Sequence, residues 1–406
     1  VRQSGRIGWL KHDLTHRGPT AWALCLLLLL FYALLYFPDK LGEFAQVFGL
    51  SKPTTQRLYA LGNDLNVFEH FMKWLGRSLG ASKWSLDYVF SKWTLYGTLY
   101  TGAILSGGAY MIQKYRHNRY LVLRTVVVMF TQATLAYSIP LLMSAKGYYG
   151  YYFSYMWPLK IDYLYPDSLK SMPLPLILYS ILSAFLLVPI LGVFFGKRWY
   201  CSWICGCGGL ANTFGEPWRH LSNKSQKAWD FEKYSIHSTL GLAILTTAFV
   251  AISAFAGSKY PGFERASLIL KFLYGTVVVA LLSGAVGVAF YPVGGTRIWC
   301  RNFCPMAAIL GVVQKFGRYR ITVKEDMCIS CGMCSKYCEM GIDVRAYAQK
   351  NQSFTRASCV GCGICSEVCP RGVLRLENRW DSDPQELTMS AFLDEAYKQE
   401  PNRRAI

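Results

Sequence analysis

The sequence predicts an all-α polytopic membrane bundle of about six spans, joined to a small α+β domain built around cysteines. Three observations carry that expectation. Of 406 residues, 52% are hydrophobic and only 17% charged, against roughly 25% charged in ordinary soluble domains. Six apolar stretches are each long enough to cross a bilayer, which takes ~17–25 residues of helix. Of the 14 cysteines, Cys25 alone precedes residue 200, and the rest fall in tight groups with the spacing of metal ligands. That spacing, in a chain this long, excludes a small disulfide-stapled secreted scaffold.

In chain order, a tail (1–19) precedes a membrane region (20–296), with spans expected at about 20–37, 94–112, 121–143, 174–195, 236–256 and 268–290. No small-residue cleavage site follows the first span, and the chain continues Tyr36-Phe37-Pro38-Asp39, so it is expected to stay as an anchor. Residues 38–93 form an extracytoplasmic loop in which Leu61, Leu65, Phe68, Met72, Leu75 and Leu79 recur at alternating spacings of four and three. That pattern predicts one amphipathic helical stripe over about 54–80, lying on the membrane surface or docking a partner. Between the third and fourth spans, Tyr148, Tyr149, Tyr151, Tyr152, Phe153, Tyr155 and Trp157 read as an aromatic belt at the membrane–water boundary. Arg124 and Lys271, near span ends, are expected to snorkel to the interface.

The net charge of +19 would raise nucleic acid as a partner in a soluble protein. Here Lys- and Arg-rich membrane loops account for it, and no nucleic acid is expected. The N-terminal tail holds four Lys and Arg, the loop before residue 121 three, and the 196–235 loop six; the facing loops at 144–173 and 257–267 hold three and two. Positive charge on the inner side then places both termini in the cytoplasm, although the 38–93 loop carries seven.

The C-terminal cysteines read Cys328-Ile-Ser-Cys331-Gly-Met-Cys334-Ser-Lys-Tyr-Cys338 and Cys359-Val-Gly-Cys362-Gly-Ile-Cys365-Ser-Glu-Val-Cys369-Pro370. Three thiolates on one tight loop wrap three irons of a cubane, and the fourth of each run ligates the other cluster. Cys328, Cys331, Cys334 and Cys369 are therefore assigned to one [4Fe-4S] cluster, and Cys359, Cys362, Cys365 and Cys338 to a second. Gly332 and Gly363 are expected where the backbone must pass close to a cluster. Zinc is the competing reading, but zinc sites rarely take four cysteines from one eleven-residue run. Residues 320–376 thus form an internal repeat resembling the bacterial two-cluster ferredoxin fold, stabilised in large part by its clusters. Glu339 stands where the second half has Pro370, and it is expected at the surface.

Two further groups follow the fourth and sixth spans: Cys201-Ser-Trp-Ile-Cys205-Gly-Cys207, and Cys300-Arg-Asn-Phe-Cys304-Pro305 within a juxtamembrane segment (297–319). Both emerge on the same face, and helical spacing would put Cys201 with Cys205 and Cys300 with Cys304. They constitute either a third metal centre or cluster, or reduced thiols at helix ends, with Cys207 as a substitute ligand or a spare. Arg301, Lys315, Arg318 and Arg320 are expected to anchor the membrane boundary.

From these residues (Trp199-Tyr-Cys201-Ser-Trp-Ile-Cys205, Arg297-Ile-Trp-Cys300-Arg-Asn-Phe-Cys304-Pro305 and the eight ferredoxin cysteines) the chain resembles the NosR/NapH-type membrane-bound polyferredoxins over residues 174–376. Gly206 departs from that family's proline after the first motif, and no Ser/Thr-Gly-Ala-Thr flavin-attachment motif occurs. The resemblance implies a bacterial cytoplasmic (inner) membrane protein with its ferredoxin domain on the cytoplasmic side. It would relay electrons between a cytoplasmic donor or the quinone pool and a respiratory partner complex, as a component of an oxidoreductase with no catalytic residue of its own. Its partners would be membrane lipid, other subunits and quinone. A quinol-oxidising subunit and a copper-handling assembly factor are the alternatives. Residues 377–406 are read as a tail or partner contact.

Overall fold

The computed structural model describes residues 9–146, 150–256 and 261–378. Helix α1 (Pro19–Val47) opens with proline in its first turn, where a missing N–H costs nothing, and continues through Pro38. It therefore runs well past the end expected for the first span. Two shorter helices follow, α2 (Lys52–Asp64) and α3 (Val67–Ser78). The chain breaks helical geometry at Asn66 (φ −80°, ψ 54°), and this divides the single stripe expected over 54–80. Phe68 packs on Phe31 and Met72 is buried, whereas Leu61, Leu65 and Leu79 are exposed.

Helix α4 (Lys92–Lys114), capped by the Ser91 side chain, covers the expected second span. Its Tyr, Thr, Gly and Ser residues leave it less apolar than the five helices that are long and apolar enough to cross a membrane. Those five are α1, α5 (Arg119–Ala145), α6 (Leu174–Phe195), α8 (Gln226–Phe255) and α9 (Gly262–Ala289), with the short α7 (Gly206–Asn212) preceding α8. Six spans were expected and five meet the criterion among the described residues. Most of their surface faces outward: Leu26, Leu27, Phe130, Phe185 and Phe255 are all exposed. Each such side chain forgoes ~1.5–3 kcal/mol if it is left in water, so these faces belong against lipid.

Helices α5 and α6 each contain a widened π-helical turn, at Thr134–Ser138 and Ser183–Leu187. Pro140 and Pro189 follow directly. A proline cannot donate to the carbonyl four residues back, so the ladder shifts to longer bonds, Ile139 N–H to Thr134 O and Val188 N–H to Ser183 O.

After α10 (Pro305–Val313) the chain forms strand β1 (Tyr319–Val323), which pairs antiparallel with β2 (Leu374–Asn378), from Tyr319 opposite Asn378 to Val323 opposite Leu374. The eight ferredoxin-type cysteines lie between these strands. One apolar core runs without interruption from Tyr274 and Val278 of α9, through Met306 and Leu310 of α10, to Tyr319, Ile321, Met340 and Val360. The cysteine-rich segment is thus seated directly on the helices.

The aromatic segment expected as a belt folds inward in part, with Tyr151 buried and Tyr152 exposed. Tyr151 is fully buried and stacks on Tyr163 at 4.2 Å, and the Tyr200 hydroxyl donates to Ser154 O at 2.8 Å. Tyr148 and Tyr149 lie outside the described residues.

Candidate metal centres

In the C-terminal segment, each cysteine run turns through a left-handed glycine, Gly332 (φ +72°) and Gly363 (φ +83°), into one helical turn. Only glycine adopts that geometry cheaply, and it aims three cysteines of a run into one space. Cys328, Cys331, Cys334 and Cys369 line one cavity, beside Pro370 and Arg371. Cys338, Cys359, Cys362 and Cys365 line a second, walled by Tyr319, Ile321, Met340 and Phe354. Each cavity takes three cysteines from one run and one from the other. The first, outer quartet includes the exposed Cys331, and the second, inner quartet lies against the membrane helices.

Neighbours hold the inner quartet closely. The Tyr319 hydroxyl meets Cys359 Sγ at 3.6 Å, Tyr120 donates to Gly361 O at 2.7 Å, and Ser202 donates to Val360 O at 2.7 Å. Gln314 donates to the carbonyls of Arg356 and Cys359 and accepts from the Lys197 amide. Burial pushes the Cys338 thiol up to about 12 and that of Cys334 up to about 11.

On the membrane side, Cys201, Cys205, Cys300 and Cys304 are all buried in the common core and within electrostatic reach of one another. They are not paired on single helices. Cys201 ends a short helix (Arg198–Cys201) and Cys300 lies in another (Ile298–Asn302). After each, the chain turns, and Cys205 and Cys304 become the N-caps of α7 and α10. The turn, rather than a shared helical face, brings each pair together. Burial pushes Cys201 up to about 12. A hydrogen bond from Cys207 brings Cys205 down to about 7, and the Cys207 thiol is pushed up in consequence.

Gly206 stands where the second repeat has Pro305, and the packing explains it. A Cβ on Gly206 would lie 2.6 Å from the Tyr155 hydroxyl and 2.8 Å from Gln132 Oε1. The inward-folded aromatic segment occupies the room a proline ring would need.

The sequence reading missed the cations. Arg124, expected to snorkel, is fully buried and donates to Cys362 O. Glu339, expected at the surface, is 1% exposed and accepts from Arg297 at 2.9 Å, with Arg219 at 3.1 Å on its other oxygen. Arg301, expected at the boundary, is buried and donates to Glu232 at 2.6 Å. Burial alone would raise the Glu339 carboxyl, but Arg219 and Arg297 prevail and hold it below the usual carboxylate range. No local pattern betrays these contacts, which join positions far apart in the chain.

The residues fit iron–sulfur clusters on two counts. Arg124, Arg219 and Arg297 are buried around the carboxylate of Glu339, with Glu216, itself paired to Lys114, also near Arg219, and Nε of each arginine meets no acceptor among the described residues. Buried cations without counter-charge are costly, so the surroundings call for anionic, acceptor-rich groups, as thiolate-held clusters are. The donor set is the second count: four cysteines line each cavity, three from one run and one from the other, as the corners of a cubane require.

Comparison with known proteins agrees with this chemistry. A family described as a 4Fe-4S dicluster domain matches residues 321–376, and one described as a 4Fe-4S binding domain matches twice, at 177–227 and 274–324. The paired match spans both membrane-side cysteine pairs. The Escherichia coli protein YccM, named for electron transport, is 27% identical over 40% of this chain and 46% of its own length. The ferredoxin-type protein MauN of methylamine utilization, from Methylobacillus flagellatus, is 26% identical over 36% of this chain and 49% of its own. An uncharacterized protein of Methanocaldococcus jannaschii is 25% identical over 39% of this chain and 58% of its own. The chain thus spans about half the length of the curated relatives it matches. No solved structure matches it. What the chain carries, then, is a set of 4Fe-4S ferredoxin-type segments joined to apolar helices, with similarity to proteins of electron transport.

Proposed function

We propose that this protein is a membrane-bound iron–sulfur electron relay of the NosR/NapH type. The observation that carries the reading is the crosswise lining of two cavities by four cysteines each, above a third buried quartet. In this reading Cys328, Cys331, Cys334 and Cys369 hold the outer [4Fe-4S] cluster, and Cys338, Cys359, Cys362 and Cys365 the inner one. Cys201, Cys205, Cys300 and Cys304 hold a third centre, with Cys207 as donor to Cys205. The match of a 4Fe-4S binding family to both pairs supports iron–sulfur over copper there. The clusters supply one-electron chemistry; the protein places them, excludes water and adjusts their charge environment.

Helix α4 serves as a sixth span, which leaves both termini and the ferredoxin segment on the cytoplasmic side of a bacterial inner membrane, in keeping with the Lys and Arg distribution. With clusters bound, the three quartets would offer a one-electron route between a cytoplasmic donor and a respiratory partner complex. The test is iron and acid-labile sulfide per chain on anaerobically purified protein, with electron paramagnetic resonance after reduction. About twelve irons support three cubanes and about eight confine the clusters to the ferredoxin segment; stoichiometric zinc with little iron refutes the relay.

A second reading, quinol oxidation, has its own observation. A cavity of about 480 Å³ is lined almost wholly by apolar side chains of α1, α4, α7 and α9, with Tyr32, Tyr96, Tyr100 and Tyr291 on its wall. Tyr100 and Tyr291 stand within electrostatic reach of Cys207. An apolar pocket with a few hydroxyls, opening among membrane helices beside a redox site, suits a lipid-soluble quinone. Anaerobic addition of duroquinol distinguishes the readings: it reduces the centres if quinol is the donor and leaves them oxidised if the donor is soluble.

A further inference from the structure

Three fully buried arginines and one buried carboxylate occupy the space between the inner ferredoxin quartet and the membrane-side quartet, and packing alone is a poor reason for them. Replacing a buried ion pair by apolar side chains is often neutral or stabilising. What distinguishes this cluster is where its terminal N–H groups point. Arg219 Nη1 lies 3.6 Å from Cys362 Sγ of the inner quartet and 3.1 Å from Glu339 Oε2. Glu339 Oε1 lies 2.9 Å from Arg297 Nη2, whose Nη1 donates to Cys300 Sγ of the membrane-side quartet at 3.6 Å and to Cys201 O at 3.2 Å. One unbroken chain of polar contacts, Cys362–Arg219–Glu339–Arg297–Cys300, therefore joins the two quartets.

We propose that Arg219, Glu339 and Arg297 couple these two centres electrostatically, each arginine raising the reduction potential of the centre it touches and Glu339 acting on both. The inference rests on reading both quartets as redox centres. Reduction adds one electron, and so one negative charge, to a centre. A dry environment opposes that added charge, and a guanidinium donating to a ligand sulfur favours it. Glu339 holds the two guanidiniums in register and opposes them, so its charge is felt equally on either side. These are positioning residues. The outer quartet is the comparison: Arg345 and Arg371 line its cavity, but its sulfurs meet the Val373 amide (to Cys369 Sγ at 3.4 Å) and the Ser335 amide and hydroxyl (at Cys334), and no arginine hydrogen bond reaches them among the described residues.

The test is a mediated redox titration, followed by electron paramagnetic resonance, of the full chain in detergent. The variants are Glu339→Gln, Arg219→Met and Arg297→Met, with iron and sulfide counted for each. Glu339→Gln is expected to raise the midpoints of the inner and membrane-side centres together and leave the outer one in place. Arg219→Met lowers chiefly the inner centre and Arg297→Met chiefly the membrane-side centre. Arg219→Lys and Arg297→Lys, which keep the charge, recover part of each shift. If Glu339→Gln loses iron, the two arginine variants decide alone, and unmoved midpoints in both overturn the proposal. A shift of the inner centre only in Glu339→Gln overturns the coupling as well. Wild-type protein with about eight irons defeats the three-centre reading and the coupling with it; about twelve irons with unmoved midpoints defeats the coupling alone.

Discussion

Two glycines with the same backbone hand have different surroundings, and the contrast gives a prediction at the scale of single residues. Gly363 (φ +83°) has the Tyr120 ring 2.8 Å from where a Cβ would sit, whereas Gly372 (φ +60°) has nothing within 4 Å. Alanine at either costs roughly 1–2 kcal/mol for the left-handed backbone. Gly363→Ala adds a clash beside the inner quartet, so its melting temperature should fall further than that of Gly372→Ala, with iron lost from the inner cluster. Equal shifts in the two proteins would show that Tyr120 moves freely. Arg124 offers a second case. Its charged hydrogen bond to Cys362 O holds the inner loop to α5, and bonds of this kind contribute ~1.5–3 kcal/mol. Arg124→Leu is expected to lose about that much stability in thermal unfolding of the cluster-loaded protein, without loss of the apolar helices from its circular dichroism.

Among the elements, α7 and α10 are the instructive pair, because each begins at the second cysteine of a membrane-side motif, one with glycine and the other with proline. Gly206→Pro, which makes the repeats alike in sequence, should disrupt the first, since Tyr155 and Gln132 leave no room. Overpacking of this kind costs about 1–3 kcal/mol; the checks are iron content and thermal stability, with Pro305→Gly expected to be the milder change. The sequence disclosed the elements whose signals are local. Cysteine spacing marked both ferredoxin-type runs, and apolar length marked the five long helices. It misled where a tertiary contact decides the outcome. The stripe from Leu61 to Leu79 is periodic, but helical geometry breaks at Asn66. Tyr151 looks interfacial until Tyr163 stacks on it and the Tyr200 bond to Ser154 O turns the segment inward. Arg124, Arg219, Arg297 and Glu339 carry no pattern at all, because their partners lie on other elements.

At the scale of the whole molecule, the core that passes from α9 and α10 into the cysteine-rich segment makes the two parts mechanically one. The segment between β1 and β2 contributes Met340, Ile342, Val344, Tyr347, Phe354 and Val360 to that core, but these surround cavities lined by thiols, and clusters would supply much of its stability. Oxidative removal of iron should therefore open residues 324–373 to trypsin, at Arg345, Lys350 and Arg371 among others, while the long helices stay protected in detergent. Cleavage equally slow with and without iron would mean that packing against the helices suffices. The crosswise lining of the two cavities also governs biogenesis. Each quartet draws one member from the opposite run, so the inner one is incomplete until Cys365, and the outer one until Cys369, has been synthesised and folded back. A chain still on the ribosome, or one cut short after the first run, cannot hold either cluster in full. Completion is then ordered along the chain, the inner quartet first and the outer second, and Cys369→Ser should leave the inner cluster's iron in place while the outer cluster lacks a ligand.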